Sequence, residues 1–199
     1  NAQSSYLNTA TVSIAASDPH SGVSSVEYRL NGGEWIVGTS ATVGTGGTHT
    51  LEARATDQVG NTATESVTFE VARRIDNTDS RIHYSGEWRT TSDTNFHGGS
   101  LRFASSNPAK ATFLFKGTGF DLVSFMGPPY GLATITVDGV AETVDMYSAK
   151  WEFQRRSYSV RGLEDTTHTV TVERTGTKSS GTSANVSIDA IDVVGELVR

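Results

Sequence analysis

Ten short segments of alternating Thr, Val, Ser and aromatic residues limit what this chain can fold into. TATVSIAA, SVEYRL, HTLEARAT, ESVTFEV, ATFLFKG, FDLVSF, ATITVDG, SYSVRGL, HTVTVER and NVSIDAIDVV are each of strand length and are parted by Gly, Asn, Asp or Pro. A period of two sends successive side chains to opposite faces of a sheet, and β-branched and aromatic residues suit that pleated surface. Helical periodicity nowhere persists for three turns. Asn31-Gly32-Gly33, Gly46-Gly47, Gly60-Asn61 and Asp138-Gly139 supply the positive φ angles or Asx turns that join paired strands. Many short strands at this spacing predict an all-β chain built of sandwiches or jelly rolls.

At 199 residues the chain is long enough for two cores. The boundary is expected near residue 72, where FEV closes a strand and Ala72-Arg73-Arg74-Ile75-Asp76-Asn77 precedes the aromatic-rich YSGEW. That gives residues 1–72 and 73–199, with no internal repeat between them and a connector too short and too poor in Pro, Gly and Ser to swing freely. Cysteine is absent, which excludes a disulfide framework and any thiolate metal site and fits either a cytosolic protein or a bacterial exoprotein. A net charge of -6 gives no electrostatic footprint for nucleic acid. No apolar run approaches the roughly 18 residues of a membrane span, and the polar start NAQSSYLNTA is unlike a signal peptide, in the style of a segment cut from a larger polypeptide.

In the first region, Asp18, Ser21 and Gly22, and then Thr56, Asp57, Gly60 and Asn61, form two turn motifs whose carboxylates can accept backbone N–H groups. Turn capping and a calcium site of Asp18, Asp57 and Asn61 are the two readings, and capping is the ordinary one. Trp35, after Asn-Gly-Gly-Glu, reads as a strand-edge packing residue. SDPHSGVSSVEYRLNGGEW and THTLEARATDQVGNTATESVTFEV resemble the bacterial immunoglobulin-like repeats used as spacers in secreted glycan-degrading enzymes and surface proteins.

The second region carries a longer ordered pattern: IDNTDSRIHYSGEW, FHGGSLRFASSNPAKATFLFKGTGFDLVSFMGPPYGLATITVDG, VDMYSAKWEFQRRSYSVRGLEDTTHTVTVERTG and SIDAIDV. Within it, Phe120, Leu122, Val123 and Phe125 supply core positions after a turn at Gly117 and Gly119. Gly127-Pro128-Pro129-Tyr130-Gly131 makes a stiff loop that raises Tyr130 at the end of two strands, and Trp88 is expected to pack on the core. The pattern resembles the galactose-binding-like jelly-roll modules of bacterial carbohydrate-active enzymes, and the noncatalytic jelly-roll domain before some sugar esterase domains. Together the two resemblances imply an all-β chain, an immunoglobulin-like β-sandwich followed by a β-jelly-roll sandwich.

Sugar binding needs flat apolar faces for pyranose C–H groups and a few oriented polar groups for hydroxyls. Phe96 and His97, Tyr130, and Trp151 with Gln154 and Arg155 meet that requirement, with Trp151, Tyr130 and His97 foremost. His97 and Arg155 would suit uronic or sulfated groups, though neutral glycans stay open. The resemblance further implies a structural calcium between first and last strands, near Asp76, Asp79, Asp189 and Asp192. Asp189 and Asp192 are an odd number of residues apart and point to opposite faces of a regular strand, so at most one joins a given site. No Gly-x-Ser-x-Gly, His-Glu-x-x-His or Walker-type motif occurs. Asp121, Asp138, Glu142, Asp145 and Glu152 cluster in sequence and are the acids a glycosidase reading would call on, but hairpins and strand ends are where solvated acids ordinarily lie. Two function classes follow. The first is a monomeric, noncatalytic polysaccharide-binding region, secreted or on a bacterial cell surface, that serves a catalytic domain of the same parent polypeptide. The second is a stalk or adhesive segment of a bacterial surface protein.

Overall fold

A computed structural model describes residues 2–199, and the chain separates into two compact units, Asn1–Ala72 and Arg73–Arg199. The first unit contains β1 (Ser5–Leu7), β2 (Ala10–Ser13), β3 (Val23–Leu30), β4 (Ile36–Val37), β5 (Ser40–Val43), β6 (Gly47–Asp57) and most of β7 (Thr62–Asp76). β4, β3, β6 and β7 pair in that order, antiparallel throughout, and β1 adds to β7 in parallel. β2 and β5 form a separate antiparallel pair. In β2 and β5 every second residue is buried, and Ala10, Val12, Ala41 and Val43 pack against Leu51, Phe69 and Val71. This is a two-layer β-sandwich whose inner faces can be read from the alternation in the sequence.

The second unit contains β8 (His83–Ser92), β9 (Ser100–Met126), β10 (Leu132–Val137), β11 (Val140–Asp145), β12 (Glu152–Arg174), β13 (Val186–Ile188) and β14 (Ala190–Val198), together with Arg73–Asp76 at the end of β7. Two long strands organise it. The first part of β9 pairs with β8 and β13, its later part pairs with β14, and β12 follows β9 along most of its length while its last residues, Val170 to Arg174, also pair with β10 on the other edge. The sheet encloses one core of Phe113, Phe115, Phe120 and Leu122 from β9, Ile135 from β10, Val170 and Val172 from β12, and Ile191 and Val193 from β14.

The GTG segment differs from expectation, because β9 runs straight through it instead of turning. Gly117 pairs with Gly195 of β14 at φ values of 152° and 142°. A Cβ on Gly117 would lie 2.1 Å from the Val194 carbonyl oxygen, and one on Gly195 would lie 2.0 Å from that of Lys116. The glycines therefore permit two backbones to approach at a register shift, which keeps the strand continuous.

Candidate functional site

Trp151 is the exposed aromatic that the fold holds flat. It precedes β12, is 57% exposed, and stacks on Phe125 with ring centres 5.2 Å apart and planes 9° from parallel. Gly127 lies beneath the indole, where a Cβ would come within 2.4 Å of Cε3. Phe125 is itself braced by Tyr130 at 5.5 Å, Phe153 at 4.6 Å and Phe96 at 5.2 Å, and Phe96 also touches Phe153 at 5.1 Å. One face of Trp151 is thus occupied by this stack while much of the side chain stays in solvent.

Tyr130 and Phe96 do not present the open ring faces expected of them. Tyr130 is 5% exposed and Phe96 6%, both packed edge-on to Phe125. The Gly127–Gly131 loop turns Tyr130 inward, where its backbone bridges to Asn185 and burial raises the pKa of its hydroxyl. Their role is to support Trp151. Trp88 packs partly buried on the core, edge-on to Tyr84, as its position suggested.

The polar candidates part company at a bulge in β12. Gln154 has φ 48°, and the register slips there so that Glu152 faces Met126 while Arg155 faces Ser124 and Arg156 faces Val123. Paired residues share a face and alternate residues along β9 share a face, so Arg156 lies on the face of Val123, Phe125 and Trp151. Arg155 lies on the other and pairs with Glu152 at 2.8 Å. Arg156 is 64% exposed, and its Nε meets the Asp121 carboxylate at 3.2 Å. Asp121 is almost wholly buried and also accepts from Arg161 at 2.8 Å and Ser159 at 2.6 Å, so one carboxylate anchors two guanidinium groups. Arg156 is the residue that sequence reasoning missed, because strict alternation along YSAKWEFQRR cannot register an extra residue at Gln154.

Gln154 is engaged within the fold through its side chain, and His97 through its backbone. Gln154 accepts from Arg74 Nη1 at 3.0 Å through Oε1 and donates through Nε2 to the Asn95 carbonyl at 2.9 Å. His97 begins the short turn His97–Gly99, and its backbone N–H donates to Asp189 Oδ1 at 2.9 Å.

The four acids expected near a cation divide into two pairs of different kinds. Asp79 makes a two-pronged contact with Arg81 at 2.7 and 2.9 Å, and Asp192 makes one with Arg74 at 2.7 Å through each oxygen, so each is already neutralised. Asp76 and Asp189 each retain one buried oxygen, Oδ2, with no hydrogen-bond partner. Burial, against the His97 N–H and the Arg74 charge and reinforced by the Asp76 carboxylate, pushes Asp189 up to about 7. Asp189 holds the His97 N–H and Asp76 Oδ2 lies against Gly98, so two carboxylates that each keep an unpartnered oxygen contact this turn, and such oxygens are hard donors of the kind calcium takes. Among the described residues no group of three or more His, Cys, Asp or Glu side chains gathers, so carbonyls and water would have to complete such a shell.

Three of the remaining acids have separate partners. Asp138 binds His168, Asp145 accepts from the Tyr147 N–H and the Ser179 hydroxyl, and Glu152 accepts from Ser148. In the first unit Asp57 accepts from Val59, Asn61 and Ser21, which also joins Asp18; the Asn61 amide is the largest influence holding Asp57 at about 2. That is turn capping. Trp35 lies under the guanidinium groups of Arg29 and Arg54, 4.8 and 4.4 Å from its ring centre. A groove in the first unit, lined by Val12, Ile14, Leu51, Ala53 and Val67, continues the apolar core and brings Glu65 as its one charged side chain.

No family model and no curated protein matches the chain. Among solved structures it is similar to a family two carbohydrate esterase from Cellvibrio japonicus, at 11% identity and TM-score 0.46, over 63% of this chain and 34% of that one. A structure of carbohydrate-binding modules from the β-sandwich superfamily aligns over 92% of this chain and 88% of its own, at 11% identity and TM-score 0.43. A family 35 carbohydrate binding module from Clostridium thermocellum aligns over 63% and 98%, at 15% identity and TM-score 0.40. The chain spans about a third of the esterase's length.

Proposed function

We propose that this chain is a noncatalytic polysaccharide-binding region of a larger secreted bacterial glycan-degrading enzyme, and that its second unit holds the glycan. The observation that carries the reading is Trp151, a flat indole fixed from below by Phe125 and left open above. An exposed Trp costs apolar surface in water, and a rigid one accepts the C–H face of a pyranose ring without losing rotamer freedom on binding. Arg156, held in place by buried Asp121, stands on the same face. It supplies donors for hydroxyl or carboxylate oxygens about two strand residues, or roughly 7 Å, from the Phe125 row. Weak binding of this kind raises the local concentration of substrate for a catalytic domain in the same polypeptide. Asp76 and Asp189 hold a structural calcium ion in this reading, and its charge answers two buried oxygens that otherwise lack a partner.

Affinity electrophoresis through gels of xylan, mannan, galactan and polygalacturonate tests the assignment. Wild-type protein is expected to be retarded in at least one gel, and Trp151→Ala to weaken that retention by roughly 30-fold, about 2 kcal/mol. Equal mobility of wild type and variant in a retarding gel overturns the site. Addition of Ca²⁺ over EGTA is expected to raise the melting temperature, and Asp189→Asn to abolish the rise.

A further inference from the structure

Four consecutive residues lie between the Asp76–Asp189 pair and the underside of Trp151. Asn95 offers its carbonyl to Gln154 at the β12 bulge, three residues from Trp151. Phe96 presses edge-on against Phe125, the ring on which Trp151 is stacked. His97 donates its backbone N–H to Asp189. Gly98 has φ 62° and lies so close to Asp76 that a Cβ there would come within 2.0 Å of the unpartnered Oδ2. Each end of the segment is thus fixed to a different element of the proposed function. One end touches the carboxylate pair and the other supports the aromatic platform.

We infer that Asn95–Gly98 couples the carboxylate pair to Trp151, so that a divalent cation at Asp76 and Asp189 and a glycan on Trp151 strengthen each other's binding. The inference rests on the glycan and cation readings above and adds the link between them. Asp189 is buried, the half-buried Asp76 carboxylate opposes its charge, and the segment that contacts both is where that repulsion is relieved. A cation draws the two acids together and fixes His97 and Gly98 over them. Phe96 is then held against Phe125 and Phe153, and the indole has one seat. Coupling requires only that the platform be better ordered in the cation-bound state, because a glycan then no longer bears the cost of ordering it. Phe96 and Gln154 are positioning residues in this scheme and touch neither ligand.

Three measurements on the full chain separate the possibilities: the melting temperature, the acrylamide quenching of Trp151 taken as the difference between wild type and Trp151→Phe, and affinity for whichever gel polysaccharide is retained, each in Ca²⁺ and in EGTA. The expected result is a raised melting temperature, less quenching of Trp151, and glycan affinity about fivefold higher in Ca²⁺, with Ca²⁺ affinity raised by the same factor at saturating glycan. Phe96→Ala is expected to keep the melting shift and lose both the quenching response and the affinity gain. Gln154→Ala, a surface change that leaves the core intact, is expected to reduce both. Ca²⁺ that raises the melting temperature while leaving quenching and glycan affinity unchanged overturns the coupling. A chain with no melting shift in Ca²⁺ overturns the coupling and the cation site and leaves the glycan reading standing. If no polysaccharide is retained, the glycan reading falls, and the quenching difference decides whether cation and platform are linked.

Discussion

A single hydrogen atom separates Gly127 from any other residue, and the Trp151 platform depends on it. The Cβ of an alanine at 127 would lie 2.4 Å from Cε3 and 2.7 Å from Cζ3 of the indole, well inside contact distance. The clash falls on the outer part of an exposed side chain, so the ring can swing away while the backbone stays. Gly127→Ala is therefore expected to lower glycan affinity roughly tenfold, about 1.4 kcal/mol, while changing stability by no more than about 0.5 kcal/mol. A matched loss of melting temperature and affinity would show that the residue acts through the fold instead. Asp121 makes the complementary case. With one carboxylate beneath Arg156 and Arg161, Asp121→Asn removes the charge that fixes both guanidinium groups. Arg156 is mostly in water, so the expected loss of stability is modest, about 1 kcal/mol. Glycan affinity falls further than that loss explains if Arg156 reads the sugar, and gel retention beside a thermal melt measures the two effects separately.

The hairpin joining β10 to β11 turns at Asp138-Gly139 and is tied to β12 through His168. His168 Nδ1 meets Asp138 Oδ2 at 2.6 Å and Nε2 meets the Glu164 carbonyl at 2.8 Å, so both ring nitrogens face acceptors and the imidazolium satisfies both. Burial opposes the charge, but the Asp138 carboxylate and the Glu164 carbonyl outweigh it and His168 is raised above its ordinary value near 6.5. A raised folded pKa makes this contribution fully present below the unfolded value and lost as pH rises through the folded one. Melting temperature is thus expected to fall as pH rises above about 6.5. Asp138→Asn should flatten that decline and cost about 1 kcal/mol at pH 6, discounted because Asp138 is half exposed. A variant with the same pH profile as wild type would remove His168 as the cause. These elements also show what the sequence makes legible. Alternation of apolar and polar residues marks the buried face of β10, and Asp138-Gly139 marks its turn, because both signals are local. The exposure of Trp151 is legible for a similar reason: Ser148, Ala149 and Lys150 before it include no large apolar residue. Tyr130 is not, since its burial comes from its loop folding back onto Phe125 and the core, and Arg156 is not, since a left-handed Gln154 exchanges the faces of the residues after it. Of the four acids, the charge partners separate Asp79 and Asp192 from Asp76 and Asp189, and one of those partners, Arg74, is 118 residues from Asp192.

Each unit of the molecule has a buried core of its own, centred on Phe69 in the first and on Phe113, Phe115 and Phe120 in the second. Every contact invoked for the glycan platform and the cation pair is made between residues numbered 74 or higher, inside Arg73–Arg199. At 127 residues that unit is of ordinary single-domain size, large enough to bury a core without help from disulfides. The short final stretch of β7, Arg73–Asp76, is its exposed point of risk. This stretch pairs with Ala190–Val193 of β14 and carries both Arg74 and Asp76, so a boundary placed even a few residues later would remove an edge strand and half of the carboxylate pair. Residues 73–199 made alone are therefore expected to unfold in one cooperative transition, to retain the polysaccharide gel retardation of the full chain within about twofold, and to keep the Ca²⁺-dependent rise in melting temperature. The same unit started at residue 78 is expected to lose the calcium response and several kcal/mol of stability, on the order of the 2–5 typical for a lost core residue, because Ile75 packs against the core. Retardation that disappears in 73–199 while the melt stays cooperative would mean that the first unit contributes to the sugar site, and would redirect the search to its sheet face around Trp35, Arg29 and Arg54.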